Sequence, residues 1–348
     1  MELVSVVMAV FNGEKYLKEA LESILRQSYK NFEFVIIDDG STDDSVKIIE
    51  SYNEKRIILI KNNKNLGLPT SLNKGIEAAK GKYIARMDAD DICKKDRLKL
   101  QVEFLEKNED IDVLAGGVEI FVGGNKWVKK KLYPPECHKE IEKRLLYENC
   151  LTHPTIMMRK SFLLKNNLKY NVECKFAQDW ALWLEATRYG KFYGLNKVLL
   201  EYRIHKKSIT SNTNNKYVER IKVLSVVLKR ELEARGFYFS EEEIEGIKEF
   251  GSISALKGKT FKSKTFIENT VKKLHLENDS KGYFDKRIFK NITKEKYIKY
   301  LSFTGDFKDY KESIFYEGES SFLFYKFFYK AKLKYIIKNK IWVRHKSK

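Results

Sequence analysis

A chain of 348 residues with 67 Lys+Arg against 48 Asp+Glu carries a formal net charge of +19, while 43% of it is hydrophobic and 13% aromatic. That is too apolar for a disordered polycation, and long enough for one large domain or two ordinary ones with a proper core. Four cysteines, Cys93, Cys137, Cys150 and Cys174, with no close pair, exclude a disulfide framework and a zinc knuckle and fit a reducing compartment.

The apolar start, Leu3 to Phe11, follows Glu2, lacks a basic flank and runs into Asn12-Gly13-Glu14, so it reads as a strand and not a signal peptide. Within it Val4–Val10 is a buried strand. Tyr16, Leu17, Ala20, Leu21, Ile24 and Leu25 follow at helical spacing behind Asn12, which can cap that helix. Phe34–Ile37 is a second strand, ending at Asp38-Asp39-Gly40, and Ser41-Thr42-Asp43-Asp44 has the chemistry that starts a helix. Arg56–Ile60 is a third strand, Leu72, Ile76 and Ala79 mark a third helix stopped by Gly81, and Lys82–Met87 is a fourth strand running into Asp88-Ala89-Asp90-Asp91. Short strands alternating with helices predict βαβ units and a parallel sheet. A hairpin is expected around Gly123-Gly124-Asn125, and a helix after Gln178-Asp179.

The second part differs. All four prolines (Pro69, Pro134, Pro135, Pro154) lie in the first half, so residues 218–348 read as mainly helical. The same stretch holds 30 basic and 18 acidic residues, and after Glu319 come nine basic residues and no acidic one. Phe324, Phe328, Ala331, Tyr335 and Trp342 share one helix face there, with Lys326, Lys330, Lys334 and Lys338 on another. An aromatic face with a lysine flank suits an anionic membrane surface, each basic residue contributing about 1 kcal/mol; the plainer alternative is a helix packed on the body with solvated lysines. No run of about 18 apolar residues occurs, so the sequence predicts no spanning helix. A cytosolic protein with a basic surface, peripheral on the cytoplasmic face of the membrane, is the expectation.

In open parallel sheets, ligands bind outside the carboxyl ends of the strands. Here three of the four opening strands end in polar residues: Asn12, then Asp38-Asp39, then Asp88-x-Asp90-Asp91. Crowded carboxylates repel, and a cation or donors must relieve them. With little nitrogen or sulfur nearby they favour a hard ion, Mg²⁺ or Mn²⁺, which completes its shell with diphosphate oxygens. Neither GxxxxGK[ST] nor GxGxxG is present to cradle phosphates instead. Taken alone, Asp38-Asp39-Gly40-Ser41 also reads as a turn with a helix cap; the second cluster at a matching strand end weakens that reading.

In order along the chain stand Val6–Asn12, Ile36-Ile37-Asp38-Asp39-Gly40-Ser41-Thr42-Asp43, Asn65-x-Gly67 with Asn73-x-Gly75, Tyr83–Asp91, His153-Pro154-Thr155, Gln178-Asp179-Trp180-x-Leu182-Trp183 and Tyr202-Arg203-x-His205. This series, covering about residues 3–212, resembles the family 2 inverting glycosyltransferases of the GT-A fold. The resemblance implies an α/β architecture, a Rossmann-like, mostly parallel central sheet flanked by helices. Residues 1–217 would be the catalytic domain, with 1–120 binding the nucleotide sugar and 121–217 forming the acceptor side. Residues 218–348 would be a helical extension with a basic aromatic tail over 320–348.

The resemblance also implies roles. Ala9 and Phe11 would line the base pocket, Asp39 would hydrogen-bond the base, usually uracil, and Asn73 would belong to the nucleotide-sugar site. Asp88 would face the ribose, Asp90 would bind the metal bridging the diphosphate, His205 is a candidate further ligand, and Arg203 a candidate phosphate contact. Asp179 would be the catalytic base. Where the family pattern has Glu-Asp, this chain has Gln178-Asp179, which removes a neighbouring like charge from the base.

Several residues keep two readings. His205 is a ligand or a surface histidine beside Lys206-Lys207, and Arg86 a phosphate contact or the partner of the carboxylates beside it. Trp180 is the better acceptor-stacking candidate of two tryptophans whose helical spacing also suits a core. His153 before Pro154 reads as a satisfied turn histidine. The expected reaction is metal-dependent transfer from a UDP-sugar to a glycan hydroxyl, on a lipid-linked acceptor of surface-polysaccharide assembly. A sugar-nucleotidyltransferase would need a glycine- and basic-rich loop that residues 9–15 lack. A nucleic-acid-binding protein would carry a binding signature, and none occurs, so no nucleic-acid partner is expected.

Overall fold

A computed structural model describes residues 2–122, 125–174, 177–205, 217–253, 260–304 and 307–316, together with 256, 258, 318, 328 and 329. The chain divides into two compact units, one of residues 1–141 with 149–213, the other of 142–148 with 214–348.

The first unit opens as β1 (Val4–Val10), α1 (Glu14–Leu25), β2 (Phe32–Asp38), α2 (Ser45–Glu50), β3 (Ile57–Lys61), α3 (Leu68–Ala78) and β4 (Tyr83–Asp88). It continues through β5 (Ile92–Cys93), α4 (Arg97–Lys107), β6 (Val113–Val122), β7 (Asn125–Leu132), the first residues of α5 (His138–Tyr147), whose remainder from 142 is counted in the second unit, and then β8 (Met157–Arg159), α6 (Lys160–Lys165), α7 (Gln178–Ala186) and β9 (Phe192–Ile204). One sheet runs β3-β2-β1-β4-β8-β6-β9-β5, with β7 paired to β6. Its first four strands are parallel, as expected. Beyond β4 the sheet is mixed: β8 is antiparallel to both neighbours, β6 and β9 are parallel, and β5 is antiparallel to β9. The expected hairpin is present as the antiparallel pair β6/β7, with Val122 opposite Asn125.

The β1 run is buried on both faces, which is why it reads as a nearly continuous uncharged, valine-rich stretch rather than an alternation. Val4, Val6, Met8 and Val10 pack with Leu17, Ala20, Leu21 and Ile24 of α1 in one core cluster. On the other side α3 approaches so closely that a Cβ on Gly75 would sit 2.5 Å from Val7 Cγ1. Because β2 lies on one side of β1 and β4 on the other, the chain reverses its strand order at β1. The crevice beyond β1's carboxyl end is therefore where a ligand fits. Register sets its walls: Val10 is opposite Asp38, and Ala9 is flanked by Ile37 and Asp88.

The second unit holds α8 (Tyr217–Glu233), α9 (Glu241–Ser252), α10 (Lys264–Lys281), α11 (Lys286–Thr304) and α12 (Phe307–Lys311), and no strand among its described residues. Ser240 and Glu243 form a capping box at the start of α9, and Gly282, in the left-handed region at φ 66°, ends α10. Leu228, Phe237, Ile247, Phe250, Leu274 and Phe289 make its core. Apart from Phe328 and Tyr329, the aromatic-lysine tail over 320–348 lies outside the described residues.

Candidate active site

The loops leaving β1 and β2 interlock. Asn12 N–H donates to Ser41 Oγ at 3.0 Å, Gly13 N–H to Ser45 Oγ at 2.9 Å and Glu14 N–H to Asp43 Oδ2 at 3.0 Å, while Asp44 N–H donates to Glu14 Oε2 at 3.1 Å. The first amide of α1 is thus met by Asp43 of the next loop, and the two amides before it by Ser41 and Ser45. Asn12 is not the cap its position suggested: its φ is 52°, Gly13 is the N-cap, and the Asn12 side-chain oxygen accepts from Thr42 N–H at 2.8 Å.

Asp39 is buried and held from the opposite loop. Its carboxylate accepts from Asn62 Nδ2, Leu66 N–H and Gly67 N–H, each at 2.9 Å. Three donors leave about one of a carboxylate's four acceptor positions for a further partner. Gly40 is required in the same turn, since its φ is +74° and a Cβ would lie 2.6 Å from the Lys64 carbonyl carbon. Asp38 accepts from Ser41 N–H at 3.2 Å, and its buried Oδ1 has no hydrogen-bond partner.

Across β1, the end of β4 gathers Asp88, Asp90 and Asp91 with ligand atoms within 4.8 Å of one another. Burial, then the charges of Asp90 and Asp88, push the Asp91 carboxyl well above the carboxylate range. Burial and the charge of Asp88 also push Asp90 up, against the pull of His205 and Arg86. His205 Nε2 lies 2.9 Å from Asp90 Oδ2, so these two proposed ligands meet. Arg86 is 3% exposed and ion-pairs with Asp88, and its Nε and Nη1 are buried without partners. Both readings of Arg86 survive: it is the carboxylates' partner, and it has donors left over. All three clustered carboxylates present oxygen, and Asp91 Oδ2 is buried without a partner, so the donor set fits a hard divalent ion.

Arg203 is placed differently from the expectation. Its guanidinium is 2% exposed, lies 4.4 Å from the Tyr16 ring centre and 4.6 Å from that of Phe121, and pairs with Glu19 at 3.1 Å. Its backbone N–H donates to Asp91 Oδ1 and its Nε to the Asp90 carbonyl, both at 2.8 Å. A stacked, buried guanidinium cannot reach an outside phosphate without leaving that slot; it braces the Asp90-Asp91 turn.

Asp179, in the first turn of α7, accepts from Asn149 Nδ2 at 2.7 Å. Tyr170 connects this carboxylate with the acidic rim, since its buried hydroxyl feels the charges of Arg86, Asp179 and Asp88. Burial raises the Tyr170 phenol and, with Arg86, drives His153 well below the usual imidazole value. His153 Nε2 and Tyr170 OH are 2.6 Å apart, a satisfied buried pair as a turn histidine should be. The Asn73 amide donates to the Tyr170 carbonyl at 2.8 Å and accepts from Tyr170 N–H at 2.9 Å, so it pins that segment to α3. Of the two readings of Trp180, its 3% exposure matches the core one. Ala9 lies between Ile37 and Asp88, and Phe11, 49% exposed, follows the carboxyl end of β1. Asp91, Tyr170, Asn62 and Asn149 received no role from the sequence. Asp91 alone had a signal, as the third carboxylate of its run.

Residues 5–168 match the family model described as Glycosyl transferase family 2. An uncharacterized glycosyltransferase of Methanocaldococcus jannaschii is 42% identical over 227 residues, 63% of this chain and 74% of that one. The O-antigen biosynthesis glycosyltransferase WbnJ of Escherichia coli is 32% identical over 216 residues, 60% of this chain and 82% of its own. Among solved structures, S. aureus TarS 1–349 in complex with UDP-GlcNAc aligns with a TM-score of 0.57 at 18% identity, over 92% of this chain and 98% of that one, a likeness of fold.

Proposed function

Because the chain belongs to glycosyl transferase family 2, we propose that this GT-A glycosyltransferase moves a sugar from a UDP-sugar, with inversion, onto a hydroxyl of a surface-polysaccharide acceptor. The observation that carries the proposal is the register of β1. It sets Asp38 on one side of the end of β1 and Asp88, clustered with Asp90 and Asp91, on the other, which supports one shared donor site. The UDP-GlcNAc bound by TarS and the O-antigen role named for WbnJ support the donor and the acceptor class.

In this reading Ala9, Phe11 and Asp39 take the base and Asp88 the ribose side, with Arg86 as the ion-pair partner of Asp88. Asp90 with His205, helped by Asp91, would hold Mn²⁺ or Mg²⁺, which when bound offsets the charge developing on the diphosphate. Asp179 takes the proton from the acceptor hydroxyl as its oxygen bonds to the anomeric carbon. The bond from that carbon to the diphosphate oxygen breaks, and its electron pair leaves with UDP. One displacement with one base inverts the centre, with no second carboxylate needed as nucleophile.

The test is a panel of UDP-sugars with UDP release as readout, followed by NMR of the product's anomeric proton. Release from at least one member and a β-linked product from an α-linked donor are expected. No release from any member, or retained configuration, would overturn the proposal. The acceptor is proposed to be lipid-linked, with the nine basic residues after Glu319 meeting anionic lipid. Deleting 320–348 should then release the protein from anionic liposomes in a sedimentation assay; equal sedimentation with and without the tail would rule this out.

A further inference from the structure

We propose that Asn149 is a positioning residue for Asp179, fixing one carboxylate oxygen so that the other meets the acceptor hydroxyl; this rests on Asp179 being the base. Asn149 is held at both ends of its amide. Its Oδ1 accepts from Leu151 N–H at 3.2 Å, and its Nδ2 donates to Asp179 Oδ2 at 2.7 Å. A backbone N–H can face only an acceptor, so the Leu151 contact determines which way the amide points and aims the NH₂ at the carboxylate. Among the described residues, no other hydrogen bond to the Asp179 carboxylate is present.

This arrangement has the form of an activated base: a proton-accepting group oriented by a third residue that does not touch the substrate. The donor is a neutral amide, so it orients the carboxylate without adding a charge beside it. Tyr170 is near enough to feel Asp179, and its phenol is pushed upward, so it stays neutral through the working range. The adjacent Gln178 adds no charge either. The orienting function therefore falls to Asn149, which the chain reaches through the turn after α5 and far from α7 in sequence.

Two substitutions separate the turn from the orientation. Asn149→Asp keeps an oxygen for Leu151 N–H but sets a second carboxylate against Asp179. Asn149→Ser keeps a hydroxyl acceptor for the turn and removes the donor. In the full-length protein, with the UDP-sugar of the panel that releases UDP fastest, both should lower kcat by about tenfold or more while the donor KM stays within about twofold. In Asn149→Asp the acid limb of the pH–rate profile should also move upward by about one unit, because two adjacent carboxylates share a proton. Wild-type kcat and pH profile in both variants would overturn the proposal, as would a loss of activity explained by a lowered Tm in both. Asp179→Asn measured alongside keeps the two ideas apart. If it retains wild-type kcat, the base assignment fails; if it is inactive while both Asn149 variants behave as wild type, only the role of Asn149 fails.

Discussion

Replacing Asp179 by Asn is expected to lower kcat by about 10²–10⁴-fold, the range spanned by a positioned general base, while leaving UDP binding intact. The acceptor hydroxyl is a poor nucleophile until its proton has somewhere to go, and Asn at this position can accept a hydrogen bond but not a proton. The Asn amide is nearly isosteric, so the contact with Asn149 can re-form and the first turn of α7 is undisturbed. Steady-state kinetics with a saturating donor, together with calorimetric titration of UDP, checks both halves. A fall in donor affinity equal to the fall in kcat/KM would place Asp179 in donor binding instead.

Asp90→Asn has the second large effect, and it works in opposite directions on activity and stability. Burial first, and then the Asp88 charge, raise the folded-state carboxyl of Asp90 above its unfolded value. A carboxyl shifted upward contributes stability that is complete below the unfolded pKa and lost as pH rises through the folded one. At neutral pH the metal-free fold therefore carries the cost of that ionised group. Asn removes the charge and retains an oxygen for the His205 contact. The variant's metal-free Tm at pH 7 should equal or exceed that of the wild type, and the difference should shrink toward pH 4. Sugar transfer should fall by about 10²-fold or more, since the diphosphate loses its counter-charge. Differential scanning calorimetry across pH and the UDP-release assay read the two effects. A variant destabilised at pH 7 and unaltered in turnover would contradict the assignment.

The opening half of the fold was legible because its strands are unbroken apolar runs stopped by polar residues. Val4–Val10 stands where the valine run put it, and β4 closes at the aspartates that end its run. The second half of the sheet was not. β8 has three residues and β5 two, too short for any periodicity, and the β6/β9 pairing joins segments about 80 residues apart. Site residues divide the same way. Carboxylates at strand ends are fixed by the backbone that carries them, so Asp38 and Asp88 stand at the ends of the two strands flanking β1, with Asp39 and Asp90 just beyond. The surroundings of Arg203, Asn73 and Trp180 were not legible because their partners are remote: Tyr16 and Phe121 around the guanidinium, Tyr170 across from the amide, and the core around the indole. Asn12 was misjudged locally, since its positive φ turns the side chain toward Thr42 rather than back onto α1. Asn149 sits in an aperiodic turn and gave no signal at all; only the three-dimensional contact with Asp179 shows it.

The central claim is that the carboxylates flanking β1 grip a divalent ion against the diphosphate of a nucleotide sugar. Calorimetric titration of UDP into the full-length protein, with and without Mn²⁺, tests it most directly. The account predicts that Mn²⁺ tightens UDP binding by about tenfold or more and that Asp90→Asn abolishes this gain while the metal-free affinity persists. Equal UDP affinity with and without Mn²⁺, or a metal-dependent gain that survives in Asp90→Asn, would contradict it.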